Sequence, residues 1–498
     1  MIDMNKRNKN SAKTALLLLA ASLLIACGDS TGVSDPAEDT APTGTAAVTE
    51  TAEVRLYQDN LPEDLETEGK TLRLLSGRTD NYGFHSMMTG QEDLSGELVN
   101  DAIYEANNVL AERFGITVTE ELQEFNDVTA TARKTISSGD DAYDIITAID
   151  RDVYTMATEN MVTALDSLKY VDLSQPWWNS SINNSLTLGG RLWAGYSDAM
   201  LTAYDFTHIL LFNKEMVTAY DLDNPYDLVE NGTWTFTKFR EMAMDVTADV
   251  NGDNTWDDND RYGWLAVPKQ ISPSIWIASG VQTITKDEND LPVFTMGADN
   301  RMLEALQLAY DLSWGSSFWY KTEVQHAADV TDPAIFSRGD ALFSSTAFYM
   351  LFQGYYREIE FDYGIIPYPK FDEAQDGYYT RVEGGNMSFV PTTCGDTDFA
   401  GAMMEAYACE FKNTVIPMYY ETGMKVKYSR DDTSGRILDM MMANRIYDLG
   451  DTIYCMQLRD GFVVTTFNAK KPITASVIEK NEKKVTKAID KLVSTLVD

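Results

Sequence analysis

Residues 71–77 read Thr-Leu-Arg-Leu-Leu-Ser-Gly, which is typical of a β-strand that ends at a glycine turn. Apolar residues then recur at helical spacing up to Gly115, a residue type that commonly terminates helices. They are Val99, Ile103, Ala106, Leu110 and Phe114. A second strand follows at residues 116–119, a second helix at 128–136 and a third strand at 143–148. This alternation predicts an α/β fold with a parallel, doubly wound sheet.

Parallel sheets of this kind bind ligands beyond the carboxyl ends of their strands, where the connecting loops meet. The first and third strands end near residues 76–78 and 149–152, so we expect both segments at the rim of a cleft. Within them, Arg78 and Asp150 are candidate ligand-binding residues, because charged groups bind the polar substituents of a solute. The competing interpretation for each is a solvated loop position without a ligand.

The later part of the chain repeats this alternation without repeating the sequence. Residues 209–212 and 341–346 are typical of strands, and residues 235–244 and 301–314 are typical of helices. A final helix carries one apolar face, which we expect to pack into a core rather than to bind a partner. That face comprises Val477, Ile478, Val485, Ile489, Leu492 and Leu496.

The chain has 498 residues and a formal net charge of −37, with 77 Asp and Glu against 40 Lys and Arg. This length suits two or three domains, because single cores stop growing at about 250–300 residues. So acidic a chain repels phosphate backbones and anionic lipids, which argues against binding a nucleic acid or a membrane surface through charge. Three histidines and four cysteines argue against a histidine-rich metal site and a disulfide scaffold.

Signatures of catalysis are missing from the sequence. It contains no GxSxG, no P-loop motif, no GxGxxG after the first strand and no cysteine paired with a histidine. We therefore predict no catalytic residues and no catalytic cofactor. Cys394, Cys409 and Cys455 have no Cys-x-x-Cys neighbour, so we interpret them as buried small hydrophobes, among which at most one disulfide can form.

The amino terminus has the pattern of an export signal. Four basic residues precede the 13-residue apolar stretch 14–26, which is too short to span a bilayer that needs about 20 residues. The sequence Leu-Ile-Ala-Cys at 24–27 resembles the lipobox of bacterial lipoproteins, which implies a signal peptide at 1–26 and acylation of Cys27. The competing interpretation is an ordinary signal peptide followed by a chance cysteine.

Residues 28–53 contain only Gly, Ser, Thr, Pro, Ala, Asp, Glu and Val. Such a segment cannot bury enough apolar surface to order itself, so we predict a flexible acidic tether over 27–54. A lipid, a tether and a globular body suit a receptor held near a membrane partner. An anchored enzyme would share this arrangement.

Segments spread over the rest of the chain carry a resemblance to one family. They are Asp-Asn-Leu-Pro-Glu-Asp-Leu at 59–65, Asp-Leu-Ser-Gln-Pro-Trp-Trp-Asn at 172–179, Gly-Gly-Arg-Leu-Trp at 189–193, Phe-Asn-Lys at 212–214, Phe-Ser-Arg-Gly-Asp-Ala-Leu-Phe at 336–343, Tyr-Gly-Ile-Ile-Pro-Tyr-Pro-Lys at 363–370, Ser-Arg-Asp-Asp at 429–432 and Arg-Ile-Tyr-Asp-Leu-Gly at 445–450. Together they resemble the bacterial extracellular solute-binding proteins of family 1, the maltose-binding-protein-like receptors of ABC importers.

The resemblance implies a class II periplasmic-binding-protein fold, in which two lobes are joined by several chain crossings and close on a solute. By segment order, the crossings are expected near residues 199–207, 344–347 and 382–387. The predicted amino-terminal lobe comprises residues 55–204 and 345–385. The predicted carboxyl-terminal lobe comprises residues 205–344 and 386–498.

The function that the resemblance implies is capture of a carbohydrate, in particular an oligosaccharide, and its delivery to the transmembrane subunits of an ABC permease. The protein would be a monomer at the outer face of the cytoplasmic membrane, held there by its lipid alone and binding no nucleic acid. One alternative is a surface-anchored glycoside hydrolase, which needs two carboxylates across a cleft. Another is the same fold binding a peptide or other polar solute.

Further cleft candidates come from the predicted crossings. Asp205 lies in the first, Phe348 and Tyr349 just after the second, and Glu383 and Asn386 in the third. Flat aromatic rings suit the apolar faces of sugars, while acids and amides bind the hydroxyls. For each polar candidate the alternative is a solvated loop position, and for each aromatic candidate the alternative is burial in the hydrophobic core.

Three tryptophans are also candidates for lining the cleft. Trp276 lies where members of the resembling family often place a sugar-stacking ring, so the resemblance implies that role. Trp177 and Trp178 follow Pro176, and two interpretations stay open for them. They either form a wall of the cleft or act as a structural wedge.

Residues 249–260 place oxygen-bearing side chains at alternating positions, as an EF-hand-like loop does. The predicted calcium ligands are Asp249, Asn251, Asp253, the Thr255 carbonyl, Asp257 and Asp260. Two residues depart from the usual pattern, because Asn254 replaces a glycine and Asp260 replaces the longer glutamate. A structural calcium ion is the prediction, and an acidic solvated turn is the alternative.

Overall fold

The computed structural model describes residues 55–78, 87–91, 96–321, 331–352, 356, 359–429 and 431–497, with only the backbone of 78 and 331–333. These residues belong to one compact unit, Arg55–Asp498. The predicted signal peptide, the lipidation site Cys27 and the tether lie outside the described residues. Within the described ranges, no helix combines the length and apolar character that crossing a bilayer requires.

Fourteen strands and sixteen α-helices alternate along these residues. The strands are β1 (Thr71–Arg78), β2 (Thr117–Glu124), β3 (Ile145–Ile149), β4 (Val162–Thr163), β5 (His208–Asn213), β6 (Tyr262–Ala266), β7 (Ile284–Lys286), β8 (Pro292–Phe294), β9 (Trp319–Lys321), β10 (Ala341–Ala347), β11 (Tyr363–Ile366), β12 (Thr380–Arg381), β13 (Asn386–Pro391) and β14 (Arg445–Ile446). The helices are α1 (Leu98–Phe114), α2 (Val128–Ser137), α3 (Asp150–Ala157), α4 (Ser180–Leu186), α5 (Thr202–Asp205), α6 (Lys214–Ala219), α7 (Pro225–Glu230), α8 (Phe236–Val246), α9 (Pro268–Ala278), α10 (Asn300–Leu312), α11 (Thr331–Ser337), α12 (Phe348–Phe352), α13 (Thr397–Asn413), α14 (Asp432–Ala443), α15 (Thr465–Asn468) and α16 (Ala475–Leu496). A 3₁₀ helix spans Leu165–Ser167, and two π-helical segments span Pro417–Tyr428 and Arg459–Val464.

The first five-stranded sheet has the order β2-β1-β3-β13-β4. Strand β1 pairs in parallel with β2 and β3, while β13 runs antiparallel to β3 and β4. Helix α1 buries Val99, Ile103, Ala106, Leu110 and Phe114, and Gly115 ends it with φ 62°. The predicted succession from β1 to β3 and its parallel pairing are therefore confirmed.

The second five-stranded sheet has the order β11-β5-β10-β6-β9. Strand β5 is antiparallel to both β10 and β11, and β6 is parallel to β10 and β9. Rings from α8 and the sheet pack together in its core, with Phe239 centred 5.0 Å from Phe343 and 5.4 Å from Trp264. The mixed α/β fold with two sheets, each at the centre of one lobe, confirms the predicted class.

The first and second sheets are joined by three chain crossings. The chain leaves the first sheet after Gly195, which bridges to Ser388, and enters the second at His208, and the crossing predicted at 199–207 lies between these two residues. It returns between β12 and β13, as expected for residues 382–387. The last crossing passes through Pro417–Tyr428, because α13 packs on α1 and α14 packs on β11.

Strand pairing differs from the predicted lobe boundaries in two places. The crossing expected at 344–347 is wrong, because β10 and β11 both pair with β5 and stay in the second lobe. Conversely, β13 pairs with β3 and so belongs to the first lobe, although residues 386–498 were all predicted in the second. Hydrogen bonds to distant strands decide these memberships, and segment order carries no record of them.

Two predictions about buried side chains hold. Ile478, Val485, Ile489, Leu492 and Leu496 form the buried face of α16, with Val477 partly buried beside them. The three cysteines of the described residues are free and buried. Burial raises the pKa of Cys394 to about 11 and of Cys409 to about 12, so these thiols are inert small hydrophobes.

Candidate functional site

A cavity of about 420 Å³ opens where the strand ends of the two lobes meet the chain crossings. The first lobe contributes residues after β2 and β3, the second contributes residues after β6 and β10, and the crossings supply the floor. The lining residues are Phe125, Asn126, Ile149, Asp150, Arg151, Phe206, His208, Val267, Lys269, Gln270, Ser345, Thr346, Ala347, Tyr349, Met350, Tyr356, Glu383, Gly384, Gly385, Asp451, Thr452, Cys455 and Arg459. A volume of this size suits a small solute.

Three of the predicted ligand-binding residues line this cavity: Asp150, Tyr349 and Glu383. Asp150 was expected there because it follows the third strand, and the neighbouring residues 149–152 contribute Ile149 and Arg151 as well. Tyr349 and Glu383 were expected there from the crossings. The structure thus brings together residues that are more than 200 positions apart in the sequence.

Asp150 joins the first lobe to the second crossing. Its Oδ2 accepts hydrogen bonds from the hydroxyls of Tyr447 at 2.5 Å and Tyr196 at 3.2 Å, and from the Gly385 N–H at 3.4 Å. Burial raises the pKa of Asp150, and these hydrogen bonds offset that only in part. The carboxyl group therefore faces protein donors on the wall of the cavity.

Glu383 is a second carboxylate of the cavity that protein donors occupy. Its Oε2 accepts from Gln270 Nε2 at 2.9 Å, and its Oε1 accepts from Arg459 at 3.1 Å. Burial alone would raise the pKa of Glu383, but the charges of Arg381 and Arg459 and the contact with His208 hold it well below its ordinary value. Glu383 is accordingly ionised throughout the physiological range of pH.

Behind Glu383, two arginines and one aspartate form a buried ion network. Arg381 binds Asp451 through both carboxylate oxygens, at 2.6 and 2.9 Å, and donates to the Gln270 side-chain oxygen. Arg459 donates to the Asp451 backbone oxygen at 2.8 Å and side chain at 3.2 Å. Such fork-shaped, charge-assisted pairs hold their partners in one geometry, so the cavity floor is rigid.

His208 completes this network as a neutral ring. Burial and the charge of Arg381 lower the pKa of His208 below its ordinary value. Its Nε2 lies 3.0 Å from an Arg381 nitrogen and 3.2 Å from Glu383 Oε2, so the tautomer of the ring decides which of the two contacts is a hydrogen bond.

Gly384 and Gly385 let the second crossing pass close to the first lobe. Their φ angles are +94° and +153°, conformations that favour glycine. A Cβ on Gly384 would lie 2.2 Å from Asp150 Oδ2, and one on Gly385 would lie 2.8 Å from Thr202 Cβ. Larger residues would push the crossing away from Asp150.

Four aromatic residues supply the apolar part of the wall, namely Phe125, Phe206, Tyr349 and Tyr356. The rings of Phe206 and Tyr349 are centred 5.4 Å apart with a tilt of 49°. They come from the first crossing and from α12 of the second lobe. Flat apolar surface beside fixed polar groups is the composition of a small-molecule site.

Four other predicted residues lie elsewhere. Asp205 is fully buried in α5 and accepts a hydrogen bond from the Tyr419 hydroxyl at 2.8 Å. Phe348 is buried in the core, because successive side chains on α12 point about 100° apart and its neighbours Tyr349 and Met350 take the cavity side. Asn386 is buried at the start of β13, and Arg78 ends β1 with its side chain outside the described residues.

Trp276 is not a stacking ring of the cavity. It is fully buried in α9, whose first residues face the cavity. Eight residues of helix separate Trp276 from Pro268, which is about 12 Å along the axis. The prediction from the resemblance is therefore corrected, because the cavity meets only the first turn of this helix.

Trp177 and Trp178 form a structural wedge rather than a cleft wall. Their indole nitrogens donate to the two carboxylate oxygens of Glu405, each at 2.9 Å, and the Asp172 N–H donates to the same group at 3.2 Å. Burial raises the pKa of Glu405 to about 7 despite these bonds. The wedge locks the segment before α4 onto α13.

The predicted calcium loop lies between α8 and β6. Its carboxylates accept backbone N–H groups of the loop itself: Asp249 from Gly252 and Asn254, and Asp260 from Val250 and Asp257. Asn254 adopts φ 63°, the left-handed conformation that its position requires. Of the acids, histidines and cysteines that the structure describes, the one group of three close enough to share an ion is Asp141, Asp144 and Cys394, where Arg73 already pairs with both aspartates. Calcium binding by residues 249–260 stays a prediction.

Several residues of the site were not anticipated. Lys269 and Gln270 follow β6, so the strand-end rule that identified Asp150 would have found them had β6 been recognised. Arg381, Asp451 and Arg459 lie outside long helices and strands, in segments whose sequence carries no pattern of a site. Only the folded chain brings them to Glu383.

Comparison with solved structures identifies the fold. An ABC substrate-binding protein from Listeria monocytogenes, in complex with cycloalternan, superposes with a TM-score of 0.54 at 12% identity, covering 85% of this chain and 99% of that one. A maltotriose-binding protein from Thermus thermophilus, bound with maltotriose, superposes with a TM-score of 0.51 at 14% identity, covering 84% of this chain and 99% of that one. UgpB from Mycobacterium tuberculosis, in complex with glycerophosphocholine, superposes with a TM-score of 0.53 at 16% identity, covering 80% of this chain and 96% of that one.

No protein-family model matches the sequence, and no curated protein matches it. The similarity to solved structures extends over most of the described chain, and it is a similarity of fold at low sequence identity. The chain therefore has the two-lobed fold of ABC solute-binding proteins of the maltodextrin-binding type, as the resemblance in sequence predicted.

Proposed function

We propose that this protein is the substrate-binding component of an ABC importer, which captures a solute between its two lobes. The observation that supports this most directly is the cavity at the crossings, because both lobes and two crossings contribute to one wall. A solute there touches Asp150 and Arg151 of the first lobe and Lys269 of the second. Closure of the lobes would therefore bury the solute.

The rigid floor of the cavity and the second crossing, which contains Gly384 and Gly385, suit closure of the two lobes. Arg381, Asp451, Arg459 and Glu383 hold one another, so the second lobe keeps the shape of its binding surface. Gly384 lies between that network and the first lobe. Hinge motion in binding proteins concentrates at such short element ends.

A carbohydrate is the proposed solute. The ring surfaces of Phe206 and Tyr349 suit the apolar face of a sugar, and Asn126, Thr346 and Gln270 offer polar groups for hydroxyls. The solved structures of this fold described above were bound to cycloalternan, maltotriose and glycerophosphocholine. Sugar ligands among them support this choice, and an oligosaccharide is the finer proposal.

We also propose that Cys27 is acylated and that the protein acts at the outer face of the cytoplasmic membrane. The lipobox-like sequence at 24–27 and the acidic segment that follows support this arrangement. A tethered receptor can deliver its solute to the transmembrane subunits of a permease. Replacing Cys27 by Ala should move the protein from the membrane fraction to the medium, and unchanged membrane association would contradict acylation at this residue.

Binding is tested with the purified full-length protein against a glycan panel. We expect at least one glycan to give a saturable calorimetric signal and to compact the protein in small-angle scattering. Tyr349→Ala should weaken that binding, whereas Tyr104→Ala, which removes an exposed ring of α1, should not. A panel without any binding, or binding without compaction, would count against capture between lobes.

The same panel separates the alternatives. A glycoside hydrolase would release shorter sugars during the incubation, and Asp150 and Glu383 would be its two carboxylates. Both groups accept several hydrogen bonds from protein donors, which disfavours that role. A peptide receptor would bind members of a parallel peptide panel instead of glycans.

A further inference from the structure

We propose that the solute carries an anionic group, a carboxylate or a phosphate, and that Lys269 and Arg151 bind it from opposite lobes. This inference rests on the proposed function, because it names the chemical class of the solute in the same cavity. It follows from which charges of the cavity the protein already neutralises. The acids are neutralised internally, and two cations are left facing the cavity.

All three carboxylates that line the cavity are occupied by protein donors. Asp150 accepts from two tyrosine hydroxyls and two backbone N–H groups. Glu383 accepts from Gln270 and Arg459, and Asp451 accepts from Arg381 and Arg459. These carboxylates have little capacity left to accept hydrogen bonds from a solute's hydroxyls.

Lys269 and Arg151 are paired far more weakly. The Lys269 ammonium is 44% exposed, and its nearest acid, Glu383 Oε1, is 3.7 Å away, beyond hydrogen-bond distance. The Arg151 side chain is 32% exposed, donates from Nε to Asp152 at 3.4 Å and also contacts the side chain of Cys455. Across the described residues, no oxygen acceptor lies within hydrogen-bond distance of the other two Arg151 nitrogens. Both cations line the cavity with donors to spare.

Backbone groups add to the positive potential. Helix α9, with 11 residues, begins at the cavity, where Val267, Lys269 and Gln270 line the wall, and no side chain caps its first turn. The amino-terminal ends of helices carry partial positive charge and bind anions.

Thr346 is a separate indication that this wall binds a ligand. It is 7% exposed, it lines the cavity, and its hydroxyl finds no hydrogen-bond partner in the part of the chain that the structure describes. Buried hydroxyls are nearly always paired, so this group is expected to bond to a ligand or a water in the cavity. An anionic oxygen would accept its hydrogen bond.

The arrangement also explains selectivity in so acidic a chain. A net charge of −37 repels anions at long range, but salt screens that repulsion over about 10 Å. Inside the cavity the local charges decide, and both Arg151 and Lys269 line it. Because Arg151 and Lys269 belong to different lobes, an anionic group that contacts both would couple recognition of its charge to closure of the lobes.

The experiment compares matched acidic and neutral solutes by calorimetry on the purified full-length protein. One arm uses oligogalacturonates and their fully methyl-esterified counterparts, which tests a carboxylate. The other uses glucose 6-phosphate and maltose 1-phosphate against glucose and maltose, which tests a phosphate. We expect the acidic member of at least one pair to bind about tenfold or more tightly than its neutral counterpart, with affinity falling as salt rises.

Two charge-removing variants assign the effect to the named residues. Lys269→Gln and Arg151→Gln should each lower the affinity for the acidic solute about tenfold and leave folding intact, since both side chains are partly exposed. Lys483→Gln, an exposed lysine of α16, is the matched control and should change nothing.

The outcomes distinguish this inference from the proposed function. Tight binding of neutral glycans with no preference for acidic members would overturn the inference and leave solute capture in place. A preference for acidic solutes that survives both variants would overturn the assignment to Lys269 and Arg151. Absence of binding by any solute of either arm and of the neutral glycan panel would overturn both the inference and the proposed function.

Discussion

The buried pair of Arg381 and Asp451 offers the sharpest test of how the cavity floor is held together. Both side chains are within 1% of full burial, and two hydrogen bonds of 2.6 and 2.9 Å join them. Asp451→Ala would leave the Arg381 guanidinium inside the protein with no carboxylate in hydrogen-bond distance among the described residues, since Glu383 Oε1 is 3.7 Å away and its other partners, His208 and Gln270, are neutral. It would also remove one acceptor of Arg459.

Breaking a buried ion pair by removing one partner costs about 3–5 kcal/mol, because the remaining charge stays out of water. The exposed pair of Arg436 and Glu230 is a matched comparison, since its atoms are 2.8 Å apart while the side chains are 63% and 49% exposed. Glu230→Ala should cost less than about 1 kcal/mol. The two losses therefore differ several-fold at similar distances.

Urea unfolding followed by tryptophan fluorescence measures both losses, with the free energy extrapolated linearly to water. A second variant, Arg381→Met in the Asp451→Ala background, should recover part of the loss, because it removes the unpaired charge. If Asp451→Ala costs no more than Glu230→Ala, or if the double variant is worse than the single one, desolvation of Arg381 is not what stabilises the floor.

Three further predictions concern Gly384, Glu405 and the predicted calcium loop. Gly384→Ala should destabilise the protein by about 2 kcal/mol or more in urea unfolding and weaken solute binding, because the new Cβ meets Asp150. The control is Gly139→Ala, which has φ +72° and open space around the new Cβ and should cost only about 1 kcal/mol. Because the pKa of Glu405 is raised to about 7, the contribution of this group to stability is complete below about pH 4.5 and is lost as the pH rises through 7. Unfolding free energies measured from pH 4.5 to 8 should show this loss, and Glu405→Gln should abolish it. If residues 249–260 bind calcium, millimolar Ca²⁺ should raise the melting temperature and a chelator should lower it again, and a melting temperature insensitive to both would leave the acidic turn as the correct interpretation.

The beginning of the fold was predictable because its signals are local. The spacing of Val99, Ile103 and Ala106 reports one face of a helix, and Gly115 supplies the left-handed residue that ends it. Strands and helices recognised in this way alternate from β1 to β3, and the order alone predicts a parallel sheet. Asp150 then follows from a geometric rule about strand ends.

Predictions that needed pairing between distant segments were less successful. Whether residues 363–366 belong to the first or the second lobe depends on hydrogen bonds to β5, about 150 residues earlier in the chain. Trp276 was predicted in the cleft, yet the turn of α9 on which it lies is inside the core. Trp177 and Trp178 could be interpreted in two ways until Glu405 was found between their indole nitrogens.

The sequence by itself determined the class of fold, the succession of strands and helices from β1 to β3, and the position of Asp150 at a strand end, because periodicity and end signals act over a few residues. Only the tertiary structure decided which charges meet. Arg381 and Arg459 neutralise Asp451 and Glu383, while Lys269 and Arg151 keep free donors in the same cavity. Coulomb and hydrogen-bond energies depend on separations of a few ångströms and on exclusion of water, and neither is fixed by spacing along the chain.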